Sequence, residues 1–291
     1  MSLAHATVCL SFDFDAISVW IGPRGSTSPS ATSRGEFAVV GVERVLKVLA
    51  ARGITATFYV PGHTIETYPR AIEAILAAGH EIGHHGYLHE NPGALGSKDE
   101  ERRILERALH SFDTVAHTRP VGYRSPSWDN SPHTTDLLLE YGFRYESSLM
   151  ADDFSPYWCR SGDVLHTDQA VEFGQPIDLV EMPVSWVLDD FPHFEFLRYP
   201  TVVFPGLSAA SKVEEIWRDE FTFMHRDVPN GVFTLTMHPE IIGRGHRILM
   251  LERLIDWMGE HDGVSFARIC DTAEAWRQNQ PEVAAGTSGV V

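Results

Sequence analysis

Apolar, strand-forming runs alternate with segments of helical periodicity through the first half of this 291-residue chain. Gly53 and Gly79 follow two of the helical segments, where glycine commonly ends a helix. Such alternation is typical of repeated βα units around a parallel sheet. The predicted strands are residues 8–14, 55–60, 81–83 and 121–124, and the predicted helices are residues 36–52, 68–78, 98–114 and 132–141. We therefore expect an α/β protein in which functional side chains gather where strands end.

The pattern loosens after Tyr145 and is interrupted by an insertion, residues 187–208. This insertion holds Phe191, Phe194, Phe196, Tyr199 and Phe204 among chain-breaking and acidic residues, which predicts an irregular aromatic loop. The loop is interpreted as a self-filled surface flap, a lid over substrate or a subunit contact. Further strands are predicted at residues 145–149, 179–186, 232–237 and 264–267, with helices at 211–226 and 246–260. We expect one catalytic domain over residues 1–277 and a disordered tail over 278–291.

A formal net charge of −17 argues against nucleic acid or anionic lipid as a partner, because both bind clustered Lys and Arg. The charge favours a neutral or cationic small substrate. The sequence contains neither a signal-peptide pattern nor an apolar run of membrane-spanning length, so we expect a cytoplasmic protein without membrane contact. Three cysteines, none in a CxxC spacing, argue against a disulfide framework and a thiolate metal site.

Two short segments carry the residue types of a metal site. His85 and His89 lie four residues apart, a spacing that one helical turn converts into a pair of imidazole ligands. Asp13 and Asp15 end the first predicted strand at positions i and i+2, so both point to one face. Two His and one Asp suit a divalent metal, and the second Asp is then free to act as a base. The alternatives are surface or partner contacts for the His pair and a loop cap for the Asp pair. His84 is interpreted as a core hydrogen-bonding residue.

Two further polar residues follow predicted strands. Arg124 precedes Ser125-Pro126, and its permanently charged guanidinium suits the orientation of a neighbouring carboxylate. The alternative is a structural salt bridge to another acid. His238 ends the strand over residues 232–237 and is followed by Pro239, so it could serve as a general acid or be an ordinary hydrogen-bonded histidine.

The order Asp-x-Asp, His-x-x-x-His, Arg-x-Pro and Leu-x-x-His-Pro resembles the polysaccharide deacetylase family, the NodB-homology or carbohydrate esterase family 4 fold. The resemblance covers residues 7–276. Residues 236–239 and 243–247 are similar to an intracellular bacterial branch that includes a peptidoglycan deacetylase and the allantoinase-like and cyclic imide hydrolases. The resemblance implies a distorted seven-stranded (β/α) barrel and hydrolysis of a C–N bond.

The resemblance also implies roles, residue by residue. Asp13 matches the family's catalytic base, and Asp15, His85 and His89 match its metal ligands, with zinc as the expected ion. Arg124 matches the arginine that orients the base, and His238 matches the general acid.

The chain departs from the commonest family pattern in both of its metal motifs. Phe14 separates the two Asp residues, and Gly86 replaces a Ser or Thr. Asp189 and Asp190 fall where this branch has pocket-lining residues, although solvated loop acids are the alternative interpretation.

The resulting expectation is a metal-dependent hydrolase of a non-peptide C–N bond that deacetylates an N-acetylated sugar, or a related N-acyl compound, in carbohydrate metabolism. Its partner is then a small-molecule or oligosaccharide substrate. The first alternative is a ring-opening hydrolase of allantoin or cyclic imides that works without metal. The second is a non-catalytic sugar-binding protein on the same fold. The aromatic insertion favours a homo-oligomer.

Overall fold

A sheet of parallel strands forms the centre of the protein in a computed structural model that describes residues 6–198 and 203–280. Within these residues, seven strands are parallel to their neighbours in the order β10-β1-β2-β3-β4-β5-β7, and β6 pairs antiparallel with β7. The strands are β1 (Ala6–Asp13), β2 (Thr57–Val60), β3 (Glu81–His84), β4 (Gly122–Tyr123), β5 (Tyr145–Glu146), β6 (Tyr157–Ser161), β7 (Gln175–Glu181), β8 (Leu197–Arg198), β9 (Val203–Phe204), β10 (Val232–Met237) and β11 (Val264–Phe266).

Helices connect the parallel strands, as expected for βα units. They are α1 (Ser18–Ile21), α2 (Pro29–Ala50), α3 (Gly62–Thr67), α4 (Pro69–Ala77), α5 (Lys98–Ser111), α6 (Thr134–Glu140), α7 (Asp190–Phe194), α8 (Ala210–Asp227), α9 (Pro239–Ile242), α10 (Gly245–Gly259) and α11 (Ile269–Gln278). Local chemistry sets several boundaries: Pro29 occupies the first turn of α2, and the Ser97 side chain accepts the Glu100 N–H at the start of α5. None of the helices described is long and apolar enough to cross a membrane.

The sheet curls into a distorted barrel that closes through an irregular segment. Asp189, which follows β7 in the chain, forms a parallel bridge with Thr236 on β10 and so brings the two ends of the curved sheet together. The expected distorted seven-stranded (β/α) barrel is therefore confirmed. β11 pairs in parallel with residues 6–8 of β1, and β2 pairs with residues 11–13 of the same strand.

Alternating residues of β1 separate the outer core from the barrel interior. Val8, Leu10 and Phe12 belong to the large apolar core that also includes side chains of α2 and α10. Cys9 belongs to a second cluster inside the barrel. Because side chains alternate along a strand, Asp13 follows Cys9 on the interior face, at the carboxyl end of the strand.

α11 covers the opposite, amino-terminal end of the barrel. Its Ile269 N–H donates to Thr57 Oγ1 at 2.9 Å, and the Cys270 N–H donates to Glu81 Oε2 at 3.1 Å. Glu81 also accepts hydrogen bonds from Thr57 and Tyr145. α11 therefore closes this end of the barrel through structural contacts.

Two predictions of local structure need correction. The insertion is not wholly irregular, because it contains α7 and the antiparallel pair β8–β9. Phe194 in α7 is buried in the main core, whereas Tyr199 lies outside the described residues. Residue 278 ends a helix rather than beginning a tail, and residues 281–291 lie outside the described part of the chain. β6, α1 and α11 were not predicted. The single-domain boundary at residue 277 stays a prediction.

Candidate active site

The end of β1 presents two carboxylates to the interior of the barrel. Asp13 is the last residue of the strand and Asp15 lies two residues further, while the intervening Phe14 is buried in the apolar core on the other side. The Phe14 N–H donates to Tyr59 O at 2.8 Å, and Thr64 Oγ1 donates to Asp15 O at 2.8 Å. The extended backbone is thus fixed beyond the strand, and the expected common face of Asp13 and Asp15 is confirmed.

The predicted helical clamp of His85 and His89 is wrong in its backbone. Both residues lie in a loop after β3, and no helix covers residues 85–89. Gly86 has φ +70° and His89 has φ +57°, in the left-handed region that an α-helix of L-residues does not use. The Glu90 carboxylate stabilises the loop by accepting the N–H groups of Tyr87 and Leu88 at 3.0 and 2.7 Å.

The loop nevertheless brings both imidazoles to Asp15. His85 Nε2 lies 3.4 Å from Asp15 Oδ1, and His89 Nε2 lies 3.3 Å from Asp15 Oδ2. One ligand atom from each of the three residues falls within 4.8 Å of the other two. Asp15 Oδ1 is buried without a hydrogen-bond partner among the described residues, which suits an atom that binds a cation.

The protonation of these groups also suits a metal ligand set. His85 Nδ1 lies 2.8 Å from Arg124 O, so its proton can reside there and leave the Nε2 lone pair towards Asp15. Burial lowers the pKa of His85 despite the nearby Asp13 and Asp15, so this imidazole is neutral near pH 7. Burial alone would raise the pKa of Asp15, but the imidazoles, with His89 first, outweigh it and hold the pKa below its usual value. One carboxylate and two imidazole nitrogens are donors that zinc and similar divalent ions accept.

Arg124 holds Asp13 in place. Its Nη1 donates to Asp13 Oδ1 at 2.8 Å and to Ser11 Oγ at 3.0 Å. Nε and Nη2 donate to the backbone and side-chain oxygens of Ser147, each at 3.0 Å, and the guanidinium carbon lies 4.2 Å from the centre of the Tyr59 ring. Burial disfavours the charged form, but Asp13 outweighs it and the pKa of Arg124 stays above its usual value. The acid that Arg124 pairs with is thus the predicted one.

Two buried glutamates lie beneath the turn that holds Arg124. The Ser148 N–H donates to Glu181 Oε1 at 2.9 Å, and the Ser148 hydroxyl contacts Glu146 and accepts the Ser125 N–H at 2.8 Å. Burial and the adjacent Glu146 raise the pKa of Glu181 well above its usual value. The pair therefore retains a proton and supports the Ser147–Ser148 turn without concentrating two negative charges.

His238 follows β10, and Asp190, which is not among the predicted site residues, holds it in place. His238 Nδ1 lies 2.7 Å from Asp190 Oδ1, and its backbone N–H donates to both oxygens of Asp190 at 3.1 Å. The Nε2 atom then faces the metal-binding side, 3.9 Å from Asp15 Oδ2. Burial disfavours the imidazolium, but Asp189 and Asp190 outweigh it and raise the pKa of His238 well above its usual value.

Asp189 and Asp190 are buried, so their interpretation as solvated loop acids is wrong. Asp189 Oδ1 accepts the Phe191 N–H at 2.7 Å and caps α7, and burial raises the pKa of Asp189 to about 7. The sequence offered one signal for them, namely two adjacent acids between the predicted strand and the aromatic insertion. His84 is a core residue as predicted: it contacts Leu105 O at 3.3 Å, and burial lowers its pKa to about 3.

The triad, Asp13, Asp189 and His238 line a cavity of about 510 Å³. Its floor contains Asp13, Asp15 and His238, and its walls are apolar and aromatic, including Trp128 and Trp186. The two indoles stack with their ring centroids 4.3 Å apart. Trp128 has φ +52°, a costly backbone conformation of the kind that clusters at functional sites. A second groove, of about 630 Å³, lies beside α5 and is lined by more exposed residues. It contains no residue of the Asp15, His85 and His89 triad and none of the Asp189, Asp190 and His238 group.

The fold is a distorted (β/α) barrel, and carboxylates, imidazoles and a guanidinium lie together at the carboxyl ends of its strands. This combination is the architecture of a hydrolase. The sequence profile of the polysaccharide deacetylase family matches residues 35–146. The peptidoglycan deacetylase of Helicobacter pylori is 36% identical over 286 residues, which cover 94% of this chain and 97% of that protein. The chain belongs to the polysaccharide deacetylase family, and it is an amidohydrolase that acts on C–N bonds other than peptide bonds.

Two solved structures support the same fold. A Mycobacterium smegmatis structure assigned to the polysaccharide deacetylases has a TM-score of 0.82 and 35% identity, covering 97% of this chain and 96% of that chain. An allantoinase structure, Puue, has a TM-score of 0.78 and 23% identity, covering 97% and 93% of the two chains. Deacetylases of the family depend on a metal, and the described residues include a candidate metal-binding triad.

Proposed function

We propose that this protein is a metal-dependent deacetylase that hydrolyses the amide of an N-acetylated amino sugar or a closely related small N-acyl compound. The proposal rests on the triad of Asp15, His85 and His89 in a cavity that also contains a carboxylate, Asp13, and an imidazole, His238, each held by a buried partner. The full-length similarity to a peptidoglycan deacetylase supports the same conclusion.

Asp15, His85 and His89 would hold the metal ion. The donor set fits, since it combines two imidazoles with an ionised carboxylate and leaves one buried carboxylate oxygen without a hydrogen-bond partner among the described residues. A divalent ion bound there would supply Lewis-acid polarisation of the amide carbonyl.

Asp13 is the proposed general base. Its Oδ1 is engaged by Arg124 at 2.8 Å, which leaves Oδ2 to accept a proton from water in the cavity. The guanidinium keeps that carboxylate in one orientation, since Arg124 is itself fixed by Ser11 and Ser147. Positioning of this kind lowers the barrier because no reorientation is needed during the reaction.

His238 is the proposed general acid. Its Nδ1 proton is directed to Asp190, so Nε2 is the atom that can deliver a proton to the departing nitrogen. The raised pKa keeps that proton available at neutral pH. Base and acid approach the triad through different ligands, since Asp13 Oδ2 lies 4.0 Å from His85 Nε2 and His238 Nε2 lies 3.9 Å from Asp15 Oδ2.

Ring opening of a cyclic imide or ureide is the second candidate. The enclosed, aromatic-walled cavity would admit a small flat ring, and the likeness to the allantoinase structure supports a fold that can host such chemistry. The non-catalytic interpretation has less support, because a sugar-binding protein has no use for a buried base, its guanidinium partner and an acid paired with its own carboxylate. The size of the cavity favours a small molecule or a chain end over the middle of a polymer.

The test measures turnover of three compounds: an N-acetylglucosamine oligomer, allantoin and succinimide. The metal content of the same protein, purified without added metal, is determined alongside. Release of acetate with stoichiometric metal supports the deacetylase. Ring opening by metal-free protein supports the second candidate, and no turnover of any compound contradicts both. Asp13→Asn should abolish turnover while metal remains bound. Full activity of that variant would exclude Asp13 as the base.

Cytoplasmic location and self-association through the insertion stay predictions. Fractionation of cells and light scattering of the purified protein would test them.

A further inference from the structure

Glu146 and Glu181 are two buried acids to which the proposed reaction gives no part. They end β5 and β7 and lie opposite each other in the parallel register of these strands. Both residues are 0% exposed. Their hydrogen-bond partners in the described part of the chain are N–H, hydroxyl and thiol groups rather than cations. Two neighbouring carboxyl groups in such a place are stable only if one of them keeps a proton.

The hydrogen bonds indicate which oxygen carries that proton. Glu181 Oε1 accepts the N–H groups of Ser148 and Leu149, each at 2.9 Å. Glu146 uses both of its oxygens as acceptors, because Oε2 accepts the Ser148 N–H at 3.1 Å and Oε1 contacts the Ser148 hydroxyl. Glu181 Oε2 remains, and its contact is Cys159 Sγ at 3.6 Å. A proton on this oxygen leaves every one of the other acceptors in use.

The titratable groups of the neighbouring strands do not offer the pair a positive charge. Burial raises the pKa of Tyr123 on β4 above its usual value, and burial likewise raises the pKa of Tyr157 and of Cys159 on β6. These groups are therefore neutral near pH 7. Arg124, at the end of β4, directs its donors to other oxygens, including Asp13 Oδ1. The pair thus limits its charge with a proton of its own.

The turn that the pair binds is the turn that holds Arg124. Arg124 Nε donates to Ser147 O and Nη2 donates to Ser147 Oγ, each at 3.0 Å. The Ser147 hydroxyl donates to Met182 O at 2.8 Å, one residue beyond the end of β7. Ser148 Oγ accepts the Ser125 N–H at 2.8 Å, so the residue after Arg124 is tied to the same turn. A shift of this turn would therefore move both the guanidinium and its backbone.

We propose that Glu146 and Glu181 are positioning residues for the proposed general base, and that they act as a pair that holds one proton. The pair fixes the turn after β5, the turn fixes Arg124, and Arg124 fixes Asp13 through the bond of 2.8 Å. This inference rests on the role proposed for Asp13. Neither glutamate is among the described residues that line the cavity. Their loss should therefore lower kcat through a misplaced base and leave KM unchanged.

Kinetics of variants test the proposal, with whichever of the three compounds named above the native protein hydrolyses. Glu181→Ala should lower kcat about 10- to 100-fold at unchanged KM. Glu181→Gln should restore most of kcat, because its amide keeps the acceptor oxygen and places N–H donors where the proton lies. Glu214→Ala is the matched control: this buried glutamate of α8 binds Arg218 and Arg253 away from the cavity, so its loss should lower stability and keep kcat. Native kcat in Glu181→Ala, or an equal loss in Glu181→Gln, overturns the inference.

Two measurements without substrate separate failure of the inference from failure of the proposed function. The infrared carbonyl band of a protonated carboxyl group should lose intensity in Glu181→Gln and not in Glu214→Ala. Hydrogen exchange of the Arg124 Nε–H, followed by nitrogen-15 NMR and assigned with Arg124→Lys, should be about 10- to 100-fold faster in Ser148→Ala, which keeps both glutamates but frees the turn. An unchanged band or unchanged exchange overturns the inference even if the protein is a deacetylase. Both expected results without turnover of any compound support the pair and contradict the proposed function alone.

Discussion

Replacing Asp190 by asparagine should move the protonation of His238. The substitution keeps the size of the side chain and one oxygen, but it removes the negative charge beside Nδ1. Asp190 and His238 are both buried, so solvent screens their interaction little. The 2.7 Å contact between Oδ1 and Nδ1 is a hydrogen bond to a charged group, which contributes about 1.5–3 kcal/mol.

This energy sets the expected magnitude. One pKa unit corresponds to about 1.4 kcal/mol, so the pKa of His238 should fall by about one to two units in Asp190→Asn. Asp189, whose Oδ1 lies 3.7 Å from His238 Nδ1, remains as a second counter-charge that keeps the pKa of His238 raised. Since the general acid must carry its proton, the alkaline limb of the kcat profile should move to lower pH, and kcat above that limb should fall about 10- to 100-fold.

Two assays measure the effect independently of each other. The pH profile of kcat is recorded with a substrate that the native protein hydrolyses, and the His238 imidazole is titrated by nitrogen-15 NMR, with His238→Gln for assignment. Asp189→Asn is the matched control and should give a smaller shift, because Asp189 lacks the 2.7 Å contact. A kcat that falls while the imidazole titrates at the native pH would refute the role assigned to Asp190.

Three further predictions concern the surrounding structure. Gly86→Ala places a Cβ 3.0 Å from Pro126 Cγ at φ +70°, so it should cost about 1–2 kcal/mol of unfolding free energy and weaken metal binding, as denaturant titration and calorimetry would show. His80 Nδ1 accepts the Ala56 N–H at 3.0 Å, and burial lowers the pKa of this imidazole. Native stability should therefore decrease as pH falls below about 6.5, because the unfolded chain then binds more protons than the folded one. His80→Gln should be less stable at pH 7.5 yet lose less stability by pH 5.5, and an equally steep loss would contradict this. Burial raises the pKa of Cys9 to about 12, so a thiol reagent at pH 8 should modify it only after unfolding, as mass spectrometry of labelled peptides would reveal.

The sequence predicts the barrel well because its signals are local and repeated. β10 occupies residues 232–237 as predicted, since the run is continuously apolar and buried on both faces. Asp13 and Asp15 share a face because strand geometry alone decides it. These features require no knowledge of distant contacts.

The residues that were mispredicted or missed depend on contacts between distant parts of the chain. His85 and His89 converge through a loop with left-handed residues, so helical spacing was the wrong reason for their proximity. Asp190 reaches His238 across 48 positions because the segment after β7 closes the barrel beside β10. The turn at Gly22, which follows α1, meets Leu88 only after folding, and nothing in its local sequence indicates that contact.

Metal binding by purified variants tests the central claim most directly. Metal-stripped protein is titrated with Zn²⁺ by calorimetry, alongside His85→Ala, His89→Ala and Asp13→Asn. The arrangement predicts one Zn²⁺ per chain for the native protein and for Asp13→Asn, and a loss of affinity of at least about 100-fold in each histidine variant. Unchanged affinity in either histidine variant, or no binding by the native protein, would contradict the assignment of Asp15, His85 and His89 as the metal site.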